Sequence, residues 1–178
     1  MEQRMPAEQR VVVAAGEGIA AILRGHYGRL DPREYAEVRR LNPGIRDMNR
    51  LEPSTPLTLP AGAAAGAGEA DPGEFYTIQA VTFLTEGHAD RMVAAFCGKG
   101  LQNVFVARGP IENRPAREWV CCYAGFFGTV EEALGWRDEV RKWGFPDAFV
   151  TRLRAARLEE SLRPCAAAVA AGPGRGGD

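Results

Sequence analysis

The stretch Tyr76-Thr77-Ile78-Gln79-Ala80-Val81-Thr82-Phe83 decides the fold of the larger part of this chain. Its β-branched and aromatic residues predict a strand. A helix follows, because Ala89, Met92 and Phe96 recur at helical spacing and Gly98-Lys99-Gly100 ends the run. The second half of the chain therefore begins with a β-α unit.

The pattern after this unit predicts an inserted hairpin and a second helix. Residues 103–107 and 119–124 predict two further strands, with a polar loop over 109–117 between them. Thr129 begins a capping box and thus a second helix, and residues 148–151 predict a last strand. The resulting β-α-β-β-α-β order is that of a ferredoxin-like sandwich, with both helices on one face of an antiparallel sheet.

The N-terminal residues 10–60 have a different order of elements. Val11-Val12-Val13 predicts a short strand, and apolar residues at helical spacing follow it. The dipeptide Asp31-Pro32 is typical of the start of a second helix, which ends at Asn42-Pro43-Gly44. A closing strand over 56–60 completes a βααβ unit.

Small residues separate and follow these units. Residues 61–73 are rich in glycine and alanine and predict a flexible linker. Residues 155–178 predict a helical extension followed by a disordered tail. We therefore expect an α+β protein with two domains, at 10–60 and 74–154.

Charge and hydropathy exclude several partners. The 178 residues carry 22 lysines and arginines and 23 aspartates and glutamates, for a formal net charge of -1. Such a chain has no overall positive field for nucleic acid. No apolar run is long enough to span a membrane, and the first ten residues lack the apolar core of an export signal. We expect neither a nucleic-acid partner nor membrane contact by this segment.

Catalytic residues are scarce. His26 and His88 lie in different units and cannot form a typical zinc site, and Ser54 and Ser161 lack a nucleophile motif. The four cysteines show no metal-ligand spacing and predict small buried apolar side chains. We expect no enzyme activity, no cofactor and no metal.

The N-terminal pattern resembles the LysM domain. The resemblance is carried by Val13-Ala14-Ala15-Gly16-Glu17-Gly18-Ile19, by Leu41-Asn42-Pro43 and by residues 51–60. It implies a groove for N-acetylated sugars between two loops, although a glycine replaces the family's hydroxyl residue at position 18. The alternative is a retained fold that serves only as a spacer or interaction module. The groove residues that the resemblance implies are Gly16, Glu17, Gly18, Ile19, Asn42 and Ile45.

The C-terminal pattern resembles the SPOR domain over about 74–154. The matching segments are Tyr76–Phe83, Trp119–Phe127, Glu131-Glu132-Ala133 and residues 144–150. This resemblance implies non-enzymatic binding of peptidoglycan glycan strands that have lost their stem peptides, often at bacterial division sites.

One face of the predicted sheet is the expected glycan-binding site. Side chains alternate along a strand, so Val120, Cys122 and Ala124 share one apolar face, which suits the helices. The other face is expected to be open, with aromatic rings and an amide that suit a sugar. The glycan-binding residues expected there are Gln79, Thr82, Trp119, Tyr123 and Thr77. Trp136 and Trp143 are expected in the core.

Three functions from different classes follow. The first is a peptidoglycan-binding protein of the periplasm or cell envelope, with a role in cell division or septal targeting and with envelope or divisome proteins as further partners. The second is a protein-interaction or scaffold module whose folds no longer bind glycan, for which a cytoplasmic location stays open. The third, an RNA-binding module of the same element order, is disfavoured because the chain is electrically balanced and lacks the paired aromatic signature.

Overall fold

Two blocks of secondary structure make up the described part of the chain. The structure is a computed structural model that describes residues 8–61, 73–83, 86–111 and 114–165. The predicted linker, except its two ends, and the predicted disordered tail from residue 166 lie outside these residues. The N-terminal block contains β1 (Gln9–Val12), α1 (Ile19–Tyr27), α2 (Pro32–Leu41) and β2 (Pro56–Leu59). The C-terminal block contains β3 (Glu74–Phe83), α3 (Glu86–Gly98), β4 (Asn103–Ile111), β5 (Arg114–Phe127), α4 (Val130–Lys142), β6 (Phe149–Arg154), α5 (Ala155–Ser161) and β7 (Leu162–Pro164).

Local signals set the order of the N-terminal block, which is the predicted one. The Asp31 carboxylate accepts a hydrogen bond from the Arg33 backbone N–H at 2.8 Å and caps α2, with Pro32 in the first turn. Burial alone would raise the pKa of Asp31, but its hydrogen bonds with Arg33 hold that pKa below its ordinary value. Gly28, at φ 74°, ends α1 in the left-handed conformation. Strands β1 and β2 pair antiparallel.

The five strands of the C-terminal block form an antiparallel sheet in the order β6-β3-β5-β4-β7. Helices α3 and α4 cover the face that carries Ile78, Cys122 and Ala124, as the alternation predicts. The prediction of a loop over 109–117 is wrong, because β4 and β5 continue through most of this range as paired strands. Pro110 is tolerated there because β7 pairs with β4 only at residues 103–105, so within the described residues no second strand pairs with β4 at Pro110.

The other face of the sheet is covered, so the expectation of an open face is wrong. Phe105 and Tyr123 from this face belong to one buried cluster with Leu23 of α1 and Tyr35 of α2. The ring of Tyr35 packs edge-on against Phe126, with ring centroids 4.9 Å apart. The physical reason is that both the sheet face and the helices of the N-terminal block are apolar, and each removes the other from water. The sheet is therefore a middle layer.

The end of the described chain is tied back to the sheet. Helix α5 and strand β7 follow β6, and β7 pairs with the start of β4. A disulfide joins Cys97 of α3 to Cys165, with Cα atoms 5.5 Å apart. The prediction that all four cysteines are plain apolar side chains is therefore wrong for this pair. It holds for Cys121 and Cys122, which are buried and free, and burial raises the pKa of Cys122 to about 12.

Removal of the disulfide is expected to destabilise the fold. The bridged residues are 68 positions apart. In the chain-entropy model, loss of a disulfide that closes a loop of this size lowers the free energy of unfolding by about 4 kcal/mol. The double variant Cys97→Ala/Cys165→Ala should lose this amount in chemical denaturation. Reductant should lower the midpoint of the wild type and leave that of the variant unchanged; a wild-type midpoint that ignores reductant contradicts the prediction.

Candidate functional site

The structure buries two of the five residues expected to bind glycan. Thr77 is 0% exposed, and its hydroxyl donates to the Gly125 carbonyl at 2.8 Å. Tyr123 is 4% exposed, and burial, with Cys121 beside it, raises its pKa to about 12. Trp119 is half-buried against the same cluster. The centre of the expected binding face is therefore part of the core between the blocks.

The two remaining residues stay accessible and lie together near the end of β3. The Gln79 amide nitrogen donates to the Thr82 hydroxyl at 3.3 Å, and that hydroxyl lies 3.0 Å from the Cys121 sulfur. Thr82 is exposed and Gln79 half-buried. A bulge between Gln79 and Val81 brings Thr82 opposite Cys121 and turns Val81 toward the helices. The bulge therefore interrupts the alternation of side chains along β3 at this point.

The first loop of the expected LysM-like groove packs against the C-terminal block. Gly18 and Ile19 are buried. A Cβ on Gly18 would lie 2.5 Å from the Asn103 side-chain oxygen and 2.9 Å from the Cβ of Gln102. Glycine therefore occupies position 18 because the neighbouring block approaches too closely for a side chain.

The remaining groove residues have structural partners. Glu17 accepts a hydrogen bond from the Ala14 backbone at 3.0 Å, and Gly16 has a φ of 75° in the turn before α1. Ile45 is half-buried and packs against the cluster between the blocks. These residues therefore have roles in the turn before α1 and in the core.

The side chain of Asn42 makes its hydrogen bonds within the N-terminal block. Its amide nitrogen donates to the Val38 and Thr58 carbonyls, both at 2.7 Å, and its oxygen accepts from the Thr58 backbone N–H at 2.8 Å. The side chain is 8% exposed. These bonds join the end of α2 to β2 and use the polar atoms that a sugar would need.

Three buried or half-buried amides, Asn49, Gln102 and Asn103, form what we call the amide network between the blocks. The Asn49 side chain accepts from the Phe126 backbone N–H at 2.8 Å and donates to the Phe126 carbonyl at 3.0 Å. Asn103 donates to Asn49 at 2.8 Å and accepts from the Ala20 N–H at 3.1 Å. Sequence reasoning missed this network because hydrogen-bonded residues in it are up to 83 positions apart. No local sequence pattern predicts contacts over such a separation.

Gln102 forms a second pair of hydrogen bonds across the interface between the two blocks, which we call the seam. Its amide oxygen accepts from the Leu51 N–H at 2.7 Å, and its nitrogen donates to the Leu51 carbonyl at 2.6 Å. The side-chain amide thus pairs with both backbone groups of Leu51, as a residue of a neighbouring strand would. The two blocks are therefore aligned by directional bonds as well as by apolar contact.

A groove follows the outer end of this seam. The Trp136 indole N–H donates to Asp47 at 3.1 Å, and the Arg50 guanidinium lies 4.9 Å from the centre of the indole. Arg39 pairs with Glu132 across the same seam. Trp136 packs, half-buried, against the core cluster beneath α3 and α4, in agreement with its expected core position, and its polar edge reaches this partner at the surface. Two adjoining depressions of about 190 and 330 Å³ lie here.

The titratable residues of the described chain show no metal-binding arrangement. No group of three histidine, cysteine, aspartate or glutamate side chains that could hold a metal comes together within those residues. His88 is exposed and stacks on Phe83 with ring centroids 5.5 Å apart, and His26 packs edge-on against Tyr27. None of the helices in the described residues is both long and apolar enough to cross a membrane.

Comparison with known proteins adds no further assignment. No family model matches the chain, and neither does a curated protein or a solved structure.

Asn49→Ala is expected to lower the free energy of unfolding by about 2–4 kcal/mol. The substitution leaves the Phe126 N–H and the Asn103 amide buried without their partner, and each such loss costs about 1–3 kcal/mol. Equilibrium urea denaturation measures the change. Glu52→Ala, at an exposed position of the following turn, is the control and should stay within about 0.5 kcal/mol of the wild type. Equal stability of the two variants would show that the amide network does not hold the blocks.

Gly18→Ala and Gly25→Ala are expected to have opposite effects. The first adds a methyl group against Asn103, whose side chain is fixed by its bonds, and should destabilise by about 1–3 kcal/mol. The second adds the same group in α1 with nothing within 4 Å, and should stabilise by up to about 1 kcal/mol. Thermal melting compares them. A neutral Gly18→Ala would mean that the blocks separate readily in solution.

Proposed function

We propose that the chain is a non-enzymatic interaction module of a bacterial cell envelope, in which LysM-like and SPOR-like folds form one scaffold. The observation that carries this proposal is the burial of the expected glycan face. Tyr123 and Thr77 lie beneath the N-terminal block, and Gly18 of the expected sugar-gripping loop lies against Asn103. One interface thus occupies the central parts of both expected glycan sites.

The energy of this interface argues against a sheet face that opens readily for a ligand. Large apolar side chains from both blocks, among them Leu23, Tyr35 and Phe105, are fully buried there. Burial of one such side chain contributes about 1.5–3 kcal/mol. Separation of the blocks would lose several of these contributions together with the bonds of the amide network, and a weak sugar contact does not replace them.

The disulfide supports an extracytoplasmic location. Bridges such as Cys97–Cys165 persist in oxidising compartments such as the periplasm and are rare in the cytoplasm. A periplasmic or envelope location agrees with the two resemblances, and it makes envelope or divisome proteins the natural partners of this scaffold.

A second candidate function is glycan binding at the accessible end of β3. The Gln79 amide and the Thr82 hydroxyl remain at the surface and already contact each other. An amide can donate to and accept from the hydroxyl and acetamido groups of a sugar. In this case, denuded peptidoglycan strands would bind at the rim of the sheet rather than across its face.

Co-sedimentation with peptidoglycan separates the two functions. The full chain is spun with intact sacculi and with sacculi stripped of stem peptides by an amidase. The interaction module is expected to pellet no more than an unrelated protein with either preparation, since the sheet face expected to bind glycan is internal. Enriched pelleting with stripped sacculi that disappears in Gln79→Ala and persists in Gln9→Ala, an exposed glutamine of β1, would replace this proposal with the second candidate.

A further inference from the structure

Strand β6 lies at one edge of the sheet, and within the described residues its one neighbouring strand is β3. Helix α5 follows β6 but leads away from it, since Leu158 is buried in the cluster between the blocks and β7 then pairs with β4 at the opposite edge. We call the side of β6 that faces away from β3 the outer edge.

Alternate residues of β6 direct their backbone groups to the outer edge. The Ala155 N–H donates to the Gly73 carbonyl at 2.9 Å, and the register of β3 and β6 places these two residues directly opposite each other. Hydrogen-bonded and non-hydrogen-bonded pairs alternate along antiparallel strands. The backbone of Thr151 therefore bonds to β3, while Val150 and Arg152 direct their N–H and carbonyl groups outward.

An apolar ring lies beside the outer edge. Phe149, at the start of β6, is 47% exposed. It shares a face of the strand with Leu153, which is half-buried against the cluster between the blocks. Proline and lysine are common means of blocking a strand edge, and β6 contains neither. A strand added at the outer edge would remove more of both apolar side chains from water.

The sequence of β6 is complementary to itself in one antiparallel register. A two-fold axis at Thr151 places Val150 of each copy opposite Arg152 of the other, so the outward backbone groups form two hydrogen-bonded pairs. The same register places Phe149 opposite Leu153 of the second copy. These apolar residues form non-hydrogen-bonded pairs, in which opposite side chains lie closest.

Other registers are less favourable. A two-fold axis at Arg152 places this arginine opposite its own copy, and like charges directly opposite each other are destabilising. An axis at Val150 moves Phe149 away from Leu153. An axis between two residues opposes outward backbone groups to inward ones. In the register about position 151, each Arg152 retains its ion pair with Glu74 of its own chain, at 3.5 Å.

We propose that two copies of the chain associate through the outer edges of their β6 strands, antiparallel about Thr151, so that the two sheets become continuous. This inference goes beyond the proposed function, because it assigns a contact between copies of the chain. A second copy is favoured over a different partner because β6 supplies both its own backbone complement and its own apolar complement. The contact covers one short strand from each copy, so the dimer should dissociate on dilution.

Sedimentation velocity of the full chain over a wide range of concentrations tests the proposal. We expect a monomer–dimer equilibrium. Phe149→Ser should weaken the dimer by about ten- to a hundredfold, because each dimer loses two half-exposed rings from the contact. Val12→Ser removes an apolar side chain that is 67% exposed on β1 and should leave the equilibrium unchanged. Thermal melting of each variant confirms that it remains folded.

Two further variants test the strand pairing and its register. Val150→Pro removes an outward N–H and leaves the hydrogen bonds to β3 in place, so it should abolish the dimer and retain the fold. Thr151→Cys places two thiols opposite each other across the two-fold axis, with Cα atoms about 4.5 Å apart, which suits a disulfide. Mild oxidation should therefore link Thr151→Cys chains and leave Leu134→Cys, at an exposed position of α4, unlinked.

A chain that remains monomeric at every concentration would overturn the proposal. A dimer that persists in both Phe149→Ser and Val150→Pro, or that is linked through Leu134→Cys and not through Thr151→Cys, would overturn it as well, because the copies would then meet elsewhere. These outcomes are separate from those of the sacculus experiment. Pelleting that depends on Gln79 would replace the proposed function and would leave the dimer measurement unchanged.

Discussion

Burial of the apolar sheet face beneath the N-terminal block is the constraint on which the rest of the structure depends. The face that carries Phe105, Cys121 and Tyr123 is as apolar as the face under α3 and α4. An antiparallel sheet can leave one face in water only if that face is polar. The short helices α1 and α2 also need a partner for their apolar sides, because a block of this size cannot bury much surface alone. The two needs are met by one interface.

Apolar contact alone would allow several orientations of one block on the other, and the buried amides select one. Asn49 holds both backbone groups of Phe126, and Gln102 holds both of Leu51. A misaligned interface would leave these groups unpaired in a dry environment, which is costly. The glycine at position 18 also permits this alignment of the blocks, because a side chain there would displace Asn103. Gly18, one of the positions at which the sequence departs from the pattern it resembles, thus allows the close approach of the two blocks.

Local rules predicted what depends on local chemistry. The caps at Asp31 and Thr129, the order of the elements up to β6 and the helix-facing position of Cys122 all follow from neighbouring residues or from alternation. The bulge after Gln79 reverses the alternation and has no signature in the sequence. The cover of the sheet and the Cys97–Cys165 bridge depend on pairs of segments far apart in the chain. Alternation shows which side chains share a face, but it does not show whether that face meets water or another block.

The same interface decides where function can lie. Because the two blocks bury the sheet face and the loop at Gly18 against each other, a ligand can reach only surfaces outside this interface. Among these are the rim at Gln79 and Thr82 and the groove at Trp136. The rim and the groove already satisfy many of their polar groups internally. A partner therefore has to be recognised at such outer surfaces rather than at the buried sheet face.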